Sequence, residues 1–143
     1  MPIKSFRGQL AHDQEETIRL STNQGLIGYK INKFEVIPAN PATTSQESIV
    51  KIFTQPNQTI QEDILFDDPL LMAVAWAENN SSAAYFGGDT IIFDNTTINQ
   101  NLFINHWEGG SAQPINYHLE LEQVKLSKDE AAVATLKDMR GSS

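Results

Sequence analysis

The chain has 143 residues, of which 40% are apolar and 20% are charged, so it is long enough for one core and too apolar for a disordered chain. A formal net charge of −8 disfavours binding to a nucleic-acid backbone, which needs clustered Lys and Arg. There is no cysteine, which excludes disulfides, thiolate metal ligands and a cysteine nucleophile. No apolar run reaches the length of a membrane span or, near the N-terminus, of a signal peptide. We therefore expect synthesis in the cytoplasm, no membrane partner and no nucleic-acid partner.

The N-terminal third predicts strands separated by turns. Residues 9–21 predict a hairpin at a sheet edge, and residues 25–37 predict one long strand. The apolar parity of that strand changes past Lys33, which indicates a bulge or a corner between sheets. The stretch 38–46 is rich in Pro, Thr and Ser, so we expect an exposed loop there.

Two apolar runs follow in the middle of the chain. Residues 49–54 predict a strand that ends at the polar cluster 55–58. Residues 70–77 are apolar on both faces, and a short helix is an alternative because Ala, Leu and Met favour helices. We favour a central strand, since the Asp-Pro and Asn-Ser flanks leave strand length only.

The C-terminal half predicts three more strands. Residues 87–89 predict a turn, followed by a strand at 90–93 and another at 98–107. Residues 115–126 alternate apolar and polar side chains, the pattern of a strand with one buried face. The alternation slips near Gln123, which indicates a second bulge.

A single helix is predicted at about residues 128–140. Ser127 and Glu130 have the spacing of a capping box, and Lys137 suits the negative end of the helix dipole. A helix this short is marginal alone, so its apolar stripe must pack against its own domain or a neighbouring subunit. That stripe is a candidate interface formed by Ala132, Val133, Leu136 and Met139.

Seven or eight strands with long connections, followed by one helix, predict a mainly β fold. We expect a two-sheet antiparallel sandwich, jelly-roll-like, with one C-terminal α-helix. No internal repeat or low-complexity linker divides the chain, so residues 1–143 are expected to form a single domain.

The row on the closing strand is the first candidate for chemistry. His118, Glu120 and Glu122 share one face with Asn116, and imidazole with carboxylates can bind a divalent metal or act as acid and base. The solvated face of an amphipathic strand produces the same pattern and is the interpretation we favour.

A second candidate is the His106-Trp107-Glu108 segment, where Trp107 could stack on a sugar ring. We favour a structural histidine beside a buried tryptophan. The acidic pairs Glu62-Asp63 and Asp67-Asp68 match no calcium-loop spacing. No hydrolase, zinc-protease or phosphate-loop motif is present, so we expect no enzyme, no metal and no cofactor.

Four segments carry a resemblance to a known group of proteins. They are TIIFD at 90–94, LFINH at 102–106, NYHLELEQVKL at 116–126 and AVATLKDMR at 132–140. They resemble small, mostly uncharacterised proteins of marine tailed bacteriophages that are regarded as virion structural proteins. The resemblance covers the C-terminal part well and the first half loosely. It implies a jelly-roll-like particle component without enzymatic activity and carries no site residues.

These observations predict a non-enzymatic phage structural or accessory protein. Decoration, head-fibre and tail roles all fit, with self-association into a trimer or larger ring, contacts to other virion proteins and a location in the virion. The alternative is a carbohydrate- or small-ligand-binding sandwich that uses exposed aromatics such as Tyr85, Phe86 and Trp107. Burial of the Trp107 ring would eliminate that site.

Overall fold

A computed structural model of the chain describes residues 2–42, 45–79, 87–93, 97–110 and 113–139. Within these residues it contains eight strands and one helix. In chain order they are β1 (Ile3–Leu10), β2 (Gln14–Ile18), β3 (Ile27–Pro38), β4 (Gln46–Phe53), β5 (Leu71–Asn79), β6 (Gly87–Ile92), β7 (Leu102–Glu108), β8 (Ile115–Lys125) and α1 (Lys128–Asp138).

The strands form two antiparallel sheets that pack face to face. The three-stranded sheet has the order β1-β8-β3, and the five-stranded sheet has the order β2-β7-β4-β5-β6. The pairs β1–β8, β2–β7 and β4–β5 are nested, as they are when one long hairpin rolls into a jelly roll. Strand β6 pairs with β5 and also lies against β3. The predicted jelly-roll-like sandwich with one C-terminal helix is therefore confirmed.

The core lies between the two sheets and is built by alternate residues of the strands. On β8 the side chains of Ile115, Leu119 and Leu121 are completely buried, while Asn116 between them is exposed. Ile104 on β7 closes the core from the opposite sheet. Alternation with one buried face is what a two-layer sandwich requires of each strand.

The predicted N-terminal hairpin is wrong. Strand β1 pairs with β8 and β2 pairs with β7, so the turn at His12 and Asp13 crosses from one sheet to the other. Asp13 has a φ of 66°, a left-handed conformation that Asp tolerates better than most residues. Leu10, at the end of β1, is fully buried where the chain makes this crossing.

Strand β5 confirms the prediction of a central strand over a short helix. It pairs with β4 on one side and β6 on the other. Ala73 and Ala75 belong to the core, whereas Val74 and Trp76 lie on the opposite, outer parity of the strand. A strand that is covered on both faces needs apolar residues at both parities, which explains its composition.

One of the two predicted bulges is present. The register of β3 against β8 shifts between Ile31 and Lys33, which confirms the irregularity expected there. The bulge near Gln123 is wrong, because β3 pairs with β8 in continuous register on both sides of that residue. The apparent slip arises because Val124 is a half-buried residue on the outward parity of β8.

Several predicted boundaries shift. Strand β4 begins at Gln46, inside the predicted loop 38–46, of which residues 43–44 lie outside the described residues. Ile98 forms only an isolated bridge with Tyr29, and β7 begins later than expected.

The predicted turn at 87–89 is wrong, because these residues are part of β6. A Cβ on Gly88 would lie 2.8 Å from the carbonyl oxygen of Trp76, so glycine permits close strand pairing there.

The helix begins where the sequence predicts. The Ser127 side chain accepts a hydrogen bond from the backbone N–H of Glu130, and the Glu130 carboxylate accepts one from the backbone N–H of Ser127. The hydrogen bond from the Ser127 backbone N–H lowers the pKa of the Glu130 carboxyl. The helix ends at Asp138 with Met139 as its C-cap, and the last predicted residue, 140, lies outside the described residues.

Candidate functional site

The outward face of α1 carries several large apolar side chains that are exposed to solvent. Val133 is 64% exposed, Leu136 73% and Met139 52%, and Ala132 is also exposed. Positions three and four apart lie on one side of a helix, so these four residues form a continuous stripe. We call them the helix stripe. The predicted interface residues are thus brought together, and all four are exposed, although Ala132 and Leu136 also border a cavity lined by Leu26.

The opposite side of α1 contacts the domain through small residues. Ala131 is 5% exposed and Ala134 is 7% exposed. The Asn99 side-chain amide donates hydrogen bonds to the backbone oxygens of Gly25 and Ala131, at 3.0 and 3.1 Å, and to the Thr135 hydroxyl at 2.8 Å. This buried asparagine ties the helix to the β3 side of the sandwich. The helix therefore packs in cis, by a face different from the helix stripe.

The three-stranded sheet presents a charged outer face that contains the predicted His118 row. His118 lies opposite Arg7 on β1 and Glu35 on β3, with 4.0 Å between its Nδ1 and the Glu35 carboxylate. The side chains of His118 and Glu35 are 43% and 56% exposed. Glu120 and Glu122 follow along β8 on the same face, opposite lysines of β3. The half-exposed charged row is compatible with a solvated strand face, and that interpretation stays a prediction.

His106 occupies the interior of the five-stranded sheet. It is completely buried, its Nδ1 lies 3.0 Å from the Leu10 carbonyl oxygen, and its Nε2 lies 2.9 Å from the Ser48 hydroxyl. Burial lowers the pKa of the imidazole, so the neutral ring is favoured. Serine next to histidine can serve as a nucleophile and base, but Ser48 is itself only 2% exposed. The predicted structural histidine is confirmed.

Trp107, next to His106, faces outward and is half-buried rather than covered. The backbone of Gly109 lies against the six-membered part of its ring, because a Cβ there would come within 2.2 Å of the ring. The His12 ring contacts it edge-on at a centroid distance of 6.4 Å. Partial exposure leaves the ligand-binding alternative as a prediction. Tyr85 and Phe86, its other predicted aromatics, lie outside the described residues.

Trp107 lines a groove on the outer face of the five-stranded sheet, which we call the tryptophan groove. Ile49 on β4 is the register partner of both Trp76 on β5 and Trp107 on β7. The groove has a volume of about 520 Å³. Its side-chain walls are completed by Ile64 and by four carboxylates, those of Glu47, Glu62, Asp63 and Glu78.

The segment 54–70 covers the rest of that outer face, and a buried lysine fixes it. Lys51 on β4 is 3% exposed, and its ammonium donates hydrogen bonds to the backbone oxygens of Gln61 (3.3 Å) and Asp63. Burial lowers the pKa of Lys51, while the Asp63 and Asp68 carboxylates act in the opposite direction. One member of each acidic pair noted in the sequence, Asp63 and Asp68, thus interacts with this structural lysine.

Sequence reasoning missed three residues that organise these surfaces. Asn99 was one amide among many, and nothing in its local pattern indicated that it reaches a helix more than 30 residues away. Lys51 lies in an apolar run, which was a usable signal, because a lone charge inside a buried strand needs partners. Trp76 lies in the strand predicted at residues 70–77, and no local pattern linked it to Trp107.

Among the described residues, no group of three or more His, Asp or Glu side chains is close enough together to hold a metal ion. In the same part of the chain, no helix has the length and apolar character needed to cross a membrane. No protein-family model matches the chain, and no curated protein matches it.

Proposed function

We propose that this protein is a non-enzymatic structural or accessory component of a bacteriophage virion that acts through self-association. The helix stripe carries the proposal. Three large apolar side chains, each more than half exposed, lie together on one helix face. Scattered exposed apolar residues are ordinary on a monomer, whereas a contiguous stripe on one element is typical of an interface.

The way α1 docks supports this interpretation. Alanines and one asparagine hold the helix to the sandwich, so the domain does not require the stripe for its own packing. Leucine, valine and methionine are good core residues, yet they point away from the core. A second copy that buries them gains about 25 cal/mol for each Å² of apolar surface removed from water.

A closed symmetric oligomer, a trimer or a larger ring, is the proposed product. Helix stripes at a symmetric contact meet copies of themselves or an adjacent surface, and closure limits growth. The jelly-roll topology and the resemblance to phage virion proteins support placement in a particle, in contact with other virion proteins.

Light scattering coupled to size-exclusion chromatography tests the self-association. We expect a mass that is a small multiple of the chain mass of 15.9 kDa. The variant Leu136→Lys places a charge in the stripe and should yield a monomer. The matched control is Ile37→Lys, which alters a residue of β3 that is 58% exposed and far from α1. A wild-type monomer, or an oligomer that survives L136K but not I37K, would contradict the proposal.

Placement in a virion is tested separately by mass spectrometry of purified particles from a phage that encodes this chain. We expect the chain at a stoichiometry that is a multiple of the oligomer number. Its presence in infected cells but absence from washed particles would refute the virion location.

A further inference from the structure

The tryptophan groove has a composition that favours a positively charged ligand. Its walls combine two indole rings with the carboxylates of Glu47, Glu62, Asp63 and Glu78. The described groove lining contains no Lys or Arg side chain, and the buried Lys51 ammonium, which interacts with Asp63, offsets one of its four carboxylates. The groove therefore keeps a net negative charge. Indole faces attract cations through their quadrupole, and carboxylates attract them by charge. The indole rings and the carboxylates therefore both favour a cationic ligand.

The spacing of the two strands that carry the tryptophans leaves room for an arginine side chain. Trp76 and Trp107 lie on strands to either side of β4, so their backbones are roughly 10 Å apart, twice the spacing of paired strands. Ile49 forms an apolar floor between them. A guanidinium can stack on an indole and at the same time bind a carboxylate through two parallel hydrogen bonds.

The charge of the groove decides between a basic peptide and a sugar. A neutral sugar could stack on the rings, but it gains no long-range attraction from the negative charge of the groove. Its binding would also displace water from the carboxylates. A basic segment gains both the ring contact and the charge attraction. We propose that the tryptophan groove binds arginine side chains of a basic segment on a partner protein. This site is separate from the helix stripe and does not depend on self-association.

The intrinsic tryptophan fluorescence of the protein reports on this site, because its two tryptophans are Trp76 and Trp107. All tryptophan emission therefore comes from the groove. Titration of the full chain with an acetylated and amidated tri-arginine peptide should produce a saturable change in that emission. The corresponding tri-lysine peptide should bind several-fold more weakly, because an ammonium lacks the planar fork.

Two variants with the same change in charge locate the binding. E62Q combined with E78Q removes two groove carboxylates and should weaken tri-arginine binding about tenfold. E120Q combined with E122Q removes two carboxylates from the opposite sheet and should leave the affinity unchanged. Glu62 and Glu78 are exposed, and Glu120 and Glu122 are half-buried on the outer face of β8, so both variants are expected to fold, which thermal unfolding checks.

Three results would overturn the proposal. One is the absence of a saturable change with tri-arginine at low salt. Another is equal weakening by the two double variants, which indicates general attraction to an acidic protein. The third is a saturable change with cellohexaose but not with tri-arginine, which identifies the groove as a sugar-binding surface.

Discussion

Strands β7 and β8 each place a histidine next to an aromatic residue, and they do so in opposite orientations. On β7 His106 is buried and Trp107 faces outward, whereas on β8 Tyr117 is buried and His118 faces outward. The residue types are similar, but the roles are reversed. The inward histidine became part of the core, and the outward one became part of a solvated face.

Strand parity decides whether a polar side chain is buried against fixed hydrogen-bond partners or remains accessible to solvent. Tyr117 donates a hydrogen bond of 2.6 Å to the Glu16 carboxylate, and burial together with Glu16 raises the pKa of its phenol above its usual range. Gly8 on β1 makes room for the Tyr117 ring, since a Cβ there would lie 2.8 Å from a ring carbon. The inward His106 and Tyr117 are thus each matched by specific hydrogen-bond partners, whereas the outward His118 lies only within 4.0 Å of Glu35.

The largest expected effect distinguishes the two histidines. His106→Ala should lower the free energy of unfolding by about 3 kcal/mol or more, because it leaves a cavity and removes partners from the Leu10 carbonyl and the Ser48 hydroxyl. His118→Ala, its matched control, should change stability by less than about 0.5 kcal/mol. Urea unfolding of both variants measures the difference. Similar losses in the two would show that orientation is not the deciding factor.

A smaller effect is expected at the inward aromatic of β8. Tyr117→Phe should cost about 2 kcal/mol, because the Glu16 carboxylate loses a hydrogen bond in a partly buried position. Tyr29→Phe on β3 is the control, since that tyrosine is also buried. Thermal unfolding at neutral pH compares them. A loss at Tyr117 no greater than that at Tyr29 would contradict a stabilising role for the hydroxyl.

The pH dependence of stability should belong to His106. Its folded pKa lies below the ordinary value of 6.5, so the unfolded chain binds the proton first, and stability is lost as pH falls below about 6.5. Between pH 7.5 and 5.5 stability should therefore fall, by no more than about 1.4 kcal/mol for this single group. His106→Gln should remove that part of the pH dependence and His118→Gln should not. A pH dependence that persists in His106→Gln and is lost in His118→Gln would contradict this assignment.

The smallest effect is expected on the outer face of β8. Glu122→Gln should alter the free energy of unfolding by less than about 0.5 kcal/mol, because the half-buried Glu122 lies opposite Lys30 on a face in contact with water, where charge pairs contribute little. Raising the salt concentration should likewise leave the free energy of unfolding nearly unchanged. Chemical denaturation at 0.05 and 0.5 M NaCl measures both, and a loss above about 1 kcal/mol would show that this face is structurally important.

The two strands also explain how far sequence reasoning reached. On β8 all apolar residues from Ile115 to Leu121 share one parity, so the buried face and the solvated His118 row could be predicted. On β7 each parity mixes apolar and polar residues, with Ile104 and His106 on one and Phe103 and Asn105 on the other. Such a pattern predicts a strand but not its inward face, because segment 54–70 and the opposite sheet bury both sides.

The sequence by itself determined the strand-rich fold, the central strand β5, the capping box of α1 and the apolar helix stripe. These features depend on neighbouring residues, since alternation, capping and helical spacing are local. Only the tertiary structure decided which sheet each strand joins, which side of α1 docks through Asn99, and that Trp76 and Trp107 share one groove. Those outcomes depend on contacts between residues far apart in the chain, which local patterns do not encode.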